Sequence, residues 1–140
     1  LNAPGASHRG SSRAGIVVVV TFHPMHTANI VLVLLLALIF VISGLSKASG
    51  TAAGLSGTRD VRVPDGFARL TGLIETLAAI ALVLGFALSD KELQRIGLVV
   101  IWLVMVGAIY FHFRASKIKT SFPAIFLLVM TTVALATLSQ

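Results

Sequence analysis

The chain alternates between long apolar runs and short polar patches. Four runs stand out: Thr27–Ser46, Phe67–Leu88, Gln94–Phe113 and Phe122–Leu138. A helix needs about 20 residues to cross the hydrocarbon core of a bilayer, with about 17 as the lower limit, and all four runs reach that length. A membrane barrel would instead show segments of about ten residues with alternating hydrophobicity, which these runs lack. The pattern therefore predicts an all-α fold, a bundle of four transmembrane helices. At the boundaries, Ser89 to Glu92 (SDKE) reads as a tight hairpin in which Ser89 or Asp90 caps the third span. Ser121 is placed to cap the fourth span, and Pro123 lies near its first position, where a missing N–H costs little. The first connection, 48–66, reads as a loop, Gly/Ser-rich and then charged; loops of that length are usually functional or mobile.

The pattern also sets domain limits, with the membrane domain assigned to residues 25–140. Residues 1–24 open polar and Gly/Ser-rich, and the apolar stretch Ile16–Val20 is too short for a secretory signal core before His23 and Pro24 break it. This stretch reads as a disordered leader or an over-extended start, with a short helix on the membrane surface as the competing reading.

Composition supports the membrane assignment. Of 140 residues 56% are hydrophobic and 11% charged, against about a quarter charged in soluble domains. The net charge of +6 does not point to nucleic acid, because the basic residues fall in short clusters between apolar runs without interleaved aromatics. Arg59, Arg62, Arg69, Arg114, Lys117 and Lys119 read instead as lipid headgroup contacts. The first and third connections with their flanks hold seven basic residues (Lys47, Arg59, Arg62, Arg69, Arg114, Lys117 and Lys119), and the second with its flank holds Lys91 and Arg95. Seven against two predicts that loops one and three are cytoplasmic and both termini outside; Arg9 and Arg13 narrow the bias to seven against four.

Much chemistry is excluded. There is no cysteine, so this chain has no disulfide, thiolate nucleophile or iron–sulfur ligand. Membrane haem b needs two axial histidines within helices, and His112 is the single histidine in the four runs. No phosphate-binding glycine loop or zinc spacing occurs, and no metal site is expected.

One group in the second run is chemically conspicuous. Glu75 is the only charged residue between Leu70 and Phe86. At 100° per residue it shares an arc with Ala68, Gly72, Ala79 and Phe86, with Thr76 at the margin. Small residues mark faces where membrane helices approach closely, so Glu75 faces the bundle. It lies about 12 Å below Phe67, on the side where Lys47 ends the first run and Tyr110 and His112 end the third. Lys47, Glu75, Tyr110 and His112 form the candidate polar cluster. Each has a plain alternative: Lys47 snorkels to headgroups, Tyr110 is an interfacial aromatic, His112 contacts headgroups, and Glu75 only fixes packing. Gly44, Ala68, Gly72 and Ala79 are read as helix-packing residues, as are Gly85, Gly97 and Gly107.

Three stretches resemble the DoxX-like family: ALIFVISGLSK (Ala37–Lys47), VPDGFARLTGLIETLAAIALVLGF (Val63–Phe86) and FHFRASKIKTSFPAIFLL (Phe111–Leu128). The similarity runs from about Asn29 to Leu138. The family's G-x-x-K followed by G-x-x-E maps onto Gly44, Lys47, Gly72 and Glu75. Two positions depart: the Leu that usually follows the lysine is Ala48, and the Gly that usually ends E-x-x-G is Ala78. The founding member is similar to a subunit of a membrane thiosulfate:quinone oxidoreductase, and other relatives are linked to membrane redox complexes.

What the resemblance implies is an accessory subunit of such a complex that contacts quinone or lipid. Lys47 or His112 would donate to a quinone carbonyl and Glu75 would move protons. No catalytic activity is expected of the chain alone and no intrinsic cofactor, with quinone as the associated ligand. Expected partners are the lipid bilayer and other membrane subunits or further copies of the chain. Two other readings stay open: a purely structural membrane subunit, and a small proton-coupled exporter, against which the helix-two position of the glutamate and the biased loop charge both count.

Overall fold

The computed structural model describes residues 24–138. The expectation for residues 1–24 thus falls, up to residue 23, outside the described residues. The elements are α1 (Pro24–Ala48), α2 (Ala52–Asp60), α3 (Asp65–Ala87), α4 (Lys91–Arg114) and α5 (Phe122–Leu138), with a 3-10 turn (Ile118–Ser121) leading into α5. Four of these segments (α1, α3, α4, and the turn with α5) are long and apolar enough to span a membrane. The fold is an all-α bundle of four transmembrane helices.

The helix ends follow from local chemistry. Asp90, and not Ser89, caps α4: its Oδ1 accepts from the backbone N–H groups of Glu92 and Leu93, both at 3.0 Å. Ser89, Arg62 and Ser116 adopt positive φ after α3, α2 and α4, the left-handed conformation that commonly ends a helix. Ser121 does not cap α5. The 3-10 turn runs into that helix without a break, and the hydroxyl of Ser121 donates to the carbonyl of Ile118 at 2.6 Å.

The first connection is not a plain loop, because α2 occupies its middle. Thr51 caps this helix by accepting from the N–H of Gly54 at 3.1 Å. Leu55 is fully buried with Val61, Val63 and Ala68 in a small cluster. A side chain at Gly54 would collide with the carbonyl of Ser46, so α2 lies directly on the end of α1. Its far end is fastened by two ion pairs: Arg59 to Asp65 (2.9 and 2.6 Å) and Asp60 to Lys117 (2.9 Å).

The main core lies between α1, α3, α4 and α5, with Leu36, Phe40, Leu82, Leu98 and Ile101 at its centre. On α3 the expected arc holds for Ala68, Gly72, Glu75 and Ala79, all buried. Phe86 departs from it and is 37% exposed. Near that end α3 turns its small residues to α4 across the short hairpin. A Cβ on Gly85 would lie 2.6 Å from the Gln94 nitrogen, so the contact face has rotated onto Gly85.

Candidate functional site

The site begins where α1 and α3 cross. A Cβ at Gly44 would fall 2.6 Å from the carbonyl oxygen of Gly72, and one at Gly72 would fall 2.6 Å from that of Gly44. The two backbones touch because neither position has a side chain. Lys47 and Glu75 each follow their glycine by three residues, so they share its face of the helix. The antiparallel crossing then sets them against each other.

Lys47 Nζ donates to Glu75 Oε1 at 2.7 Å and to Oε2 at 2.9 Å. It also donates to Ser43 Oγ at 3.0 Å, and Ser43 in turn donates to Glu75 Oε2 at 3.1 Å. The side chain of Glu75 is 1% exposed and that of Lys47 19%. Lys47 turns inward because side chains on a helix lean toward its N-terminus, which here lies deeper in the membrane. In a low-dielectric bundle such a pair holds only if its remaining hydrogen-bonding groups are satisfied, which Ser43 helps to do. The hydropathy pattern does not single out Ser43, although its position one turn before Lys47 is a signal for it.

The other two members of the expected cluster lie elsewhere. Tyr110 is 59% exposed and packs edge-to-face on Phe111 with ring centroids 5.6 Å apart. His112 pairs through Nδ1 with Thr120 Oγ1 at 2.9 Å, not with Glu75. The reason is local: the turn after α4 brings the backbone N–H of Lys117 to the carbonyl of His112 at 2.9 Å, which folds Thr120 back toward the ring. Trp102 donates to Thr132 Oγ1 at 3.1 Å and ties α4 to α5.

His112 nevertheless shares a cavity with the ion pair. The cavity has a volume of about 550 Å³ and is lined by all five helices; Ser43, Lys47, Glu75 and His112 are polar groups on an otherwise largely apolar wall. Gly107 lines it too. It meets no atom within 4 Å of a notional Cβ, so unlike Gly44 and Gly72 it packs against nothing and opens space. Volumes of roughly 300–1,000 Å³ with few polar groups are typical of small-molecule sites. No group of three or more His, Asp or Glu that could hold a metal occurs among the described residues.

At the surface by α2, Arg62, Arg69, Arg114 and Lys119 are exposed, while Arg59 and Lys117 are held by Asp65 and Asp60. The Asp65 carboxylate, by accepting hydrogen bonds from Arg59 and by its charge, raises the guanidinium pKa above its ordinary value.

No curated protein and no solved structure matches the chain. A family model does, over residues 31–134, a stretch that contains both glycines of the crossing, the ion pair and His112. This four-span membrane protein therefore belongs to the DoxX-like family.

Proposed function

We propose that the protein holds a lipophilic quinone-class ligand in the bundle cavity, as an accessory subunit of a membrane redox complex. The observation that supports this reading is the cavity itself: apolar walls for a ring and tail, with Ser43, Lys47, Glu75 and His112 as polar contacts. With no cysteine in the chain, electrons for such a ligand come from a partner protein. Loops one and three face the cytoplasm in this proposal, as the basic residues gathered there favour. Glu75 is a positioning group rather than a proton carrier, since Lys47 and Ser43 hold it on both oxygens.

The test is purification in mild detergent, followed by chromatography of the extracted quinones and identification of co-purifying proteins. Quinone at near one per chain, with redox subunits alongside, is expected. Gly107→Leu fills the cavity from an open position and should empty it of quinone while leaving the fold intact. Absence of quinone from the native protein overturns the proposal. The full internal pairing of Glu75 favours a second reading, a purely structural subunit, which is selected if partners co-purify and quinone does not.

A further inference from the structure

The antiparallel helices α3 and α4 do not pack evenly along their length. At about 100° per residue, Phe67, Thr71, Ile74, Ala78 and Gly85 fall within about 60° of one another on α3. Gly97, Val104, Gly107 and Phe111 fall within about 80° on α4. Near the hairpin the two stripes touch. A Cβ at Gly85 would lie 2.6 Å from the Gln94 nitrogen, and one at Gly97 2.8 Å from the Ala78 carbonyl oxygen. Toward α2 they part, since a Cβ at Gly107 would meet no atom within 4 Å. Resting on the quinone-class reading above, we propose that this gap is the lateral entrance of the cavity and the seat of the ligand's hydrocarbon tail.

The walls of the gap belong both to the cavity and to the outside of the bundle. Ile74 and Leu103 line the cavity, yet they are 39% and 58% exposed. Along the helix axes the gap is bounded at one end by the contact of Ala78 with Gly97. At the other end stand the Phe67 and Phe111 rings, edge-to-face with centroids 5.9 Å apart. About 16 Å of helix separates Ala78 from Phe67. The register set by these two contacts brings Ile74 level with Leu103 and Thr71 level with Gly107.

The chemistry of the walls fits hydrocarbon. Thr71 donates its hydroxyl hydrogen to the carbonyl of Phe67 at 2.9 Å, and Ile74 and Leu103 are apolar. A polar head resting here would lose its hydration without compensation. Glu75, the residue after Ile74, belongs with Lys47 to the polar end of the cavity, so the head lies inward and the tail outward. On the side of the connections the cavity is covered by α2, through Gly57, Thr58 and Val61. The ion pairs of Arg59 with Asp65 and of Asp60 with Lys117 fasten that cover. A ligand dissolved in the bilayer reaches the gap without leaving hydrocarbon.

The absence of cysteine makes the test direct. Ile74→Cys with Leu103→Cys puts a thiol on each wall of the gap, and Asp60→Cys with Lys117→Cys puts a pair across α2 and the turn before α5. Each full-chain double variant is placed in lipid nanodiscs and strapped with a short bis-maleimide, with N-ethylmaleimide capping as its control. Binding of decylubiquinone is then followed in time. The strap across the gap is expected to slow association and release about tenfold or more, and the strap on α2 to change neither. A second measurement uses the unaltered chain and so does not depend on the variants folding. A decylubiquinone analogue with a diazirine on its tail should label residues 71–77 and 103–107, and excess decylubiquinone should suppress that labelling. Slowing by the α2 strap, no slowing by the gap strap, or suppressible labelling confined to α2 or α5 overturns the lateral entrance and leaves the quinone-class reading in place. Labelling of the gap that excess decylubiquinone does not suppress marks ordinary bilayer lipid and overturns it as well. Failure of the unaltered chain to bind decylubiquinone overturns the quinone-class reading and the entrance with it.

Discussion

At the scale of single residues, the glycines and the charges depend on one another. Lys47 reaches Glu75 only because Gly44 and Gly72 let the backbones touch. Two outcomes follow. Removing one partner of a buried pair leaves an uncompensated charge, which costs about 3–5 kcal/mol, whereas replacing both with apolar residues costs far less. Glu75→Leu or Lys47→Met alone should therefore lower stability in detergent sharply, and the double variant should recover much of the loss. A coupling of about 2 kcal/mol or more is expected from the four-variant cycle, and one below about 0.5 kcal/mol would show the two residues to be independent. Gly44→Leu should be among the most damaging substitutions, since its Cβ would lie 2.6 Å from the Gly72 carbonyl. Gly107→Leu, in open space, should leave the thermal midpoint of the unliganded protein nearly unchanged or slightly higher.

At the scale of elements, the contrast between α3 and α2 shows what sequence patterning can and cannot reveal. The spans were legible because in lipid a helix is identified by apolar length alone. The inward placement of Glu75 was legible because small residues at helical spacing mark a close face. α2 was hidden: its AAGLSGTRD sequence has weak helix propensity, and what stabilises it is contact of Gly54 with α1 and burial of Leu55, which depend on the whole fold. The partner of His112 was hidden for the same reason, since a turn and not a helix face brings Thr120 to it. Leu55→Ala should cost about 2–4 kcal/mol if α2 is integral to the fold, while an effect below about 1 kcal/mol would mark it as loosely attached. Ser116, exposed at φ 58 after α4, is held in a conformation that costs most residues energy. Ser116→Gly should raise stability by up to about 1 kcal/mol, measurable as a higher thermal midpoint.

At the scale of the molecule, the basic face by α2 and the proposed orientation make a direct prediction. Fusions at Gln140 should be active with a reporter that works only outside the cytoplasm, and fusions within the α2 connection only with a cytoplasmic one. The reverse pattern would invert the orientation and place the α2 end of the cavity outside. The ion pair has a separate consequence for how the chain is made. Lys47 and Glu75 belong to consecutive spans, α1 and α3, joined by α2. Both exist in the nascent chain before α4 leaves the ribosome. An acidic side chain in the middle of a membrane helix adds about 3 kcal/mol to the free energy of insertion. Here the counterion has already been synthesised when Glu75 arrives, so the first two spans can leave the translocon as a hairpin without an unpaired charge. The order of the spans along the gene, and not only their final packing, thus protects the carboxylate during biogenesis.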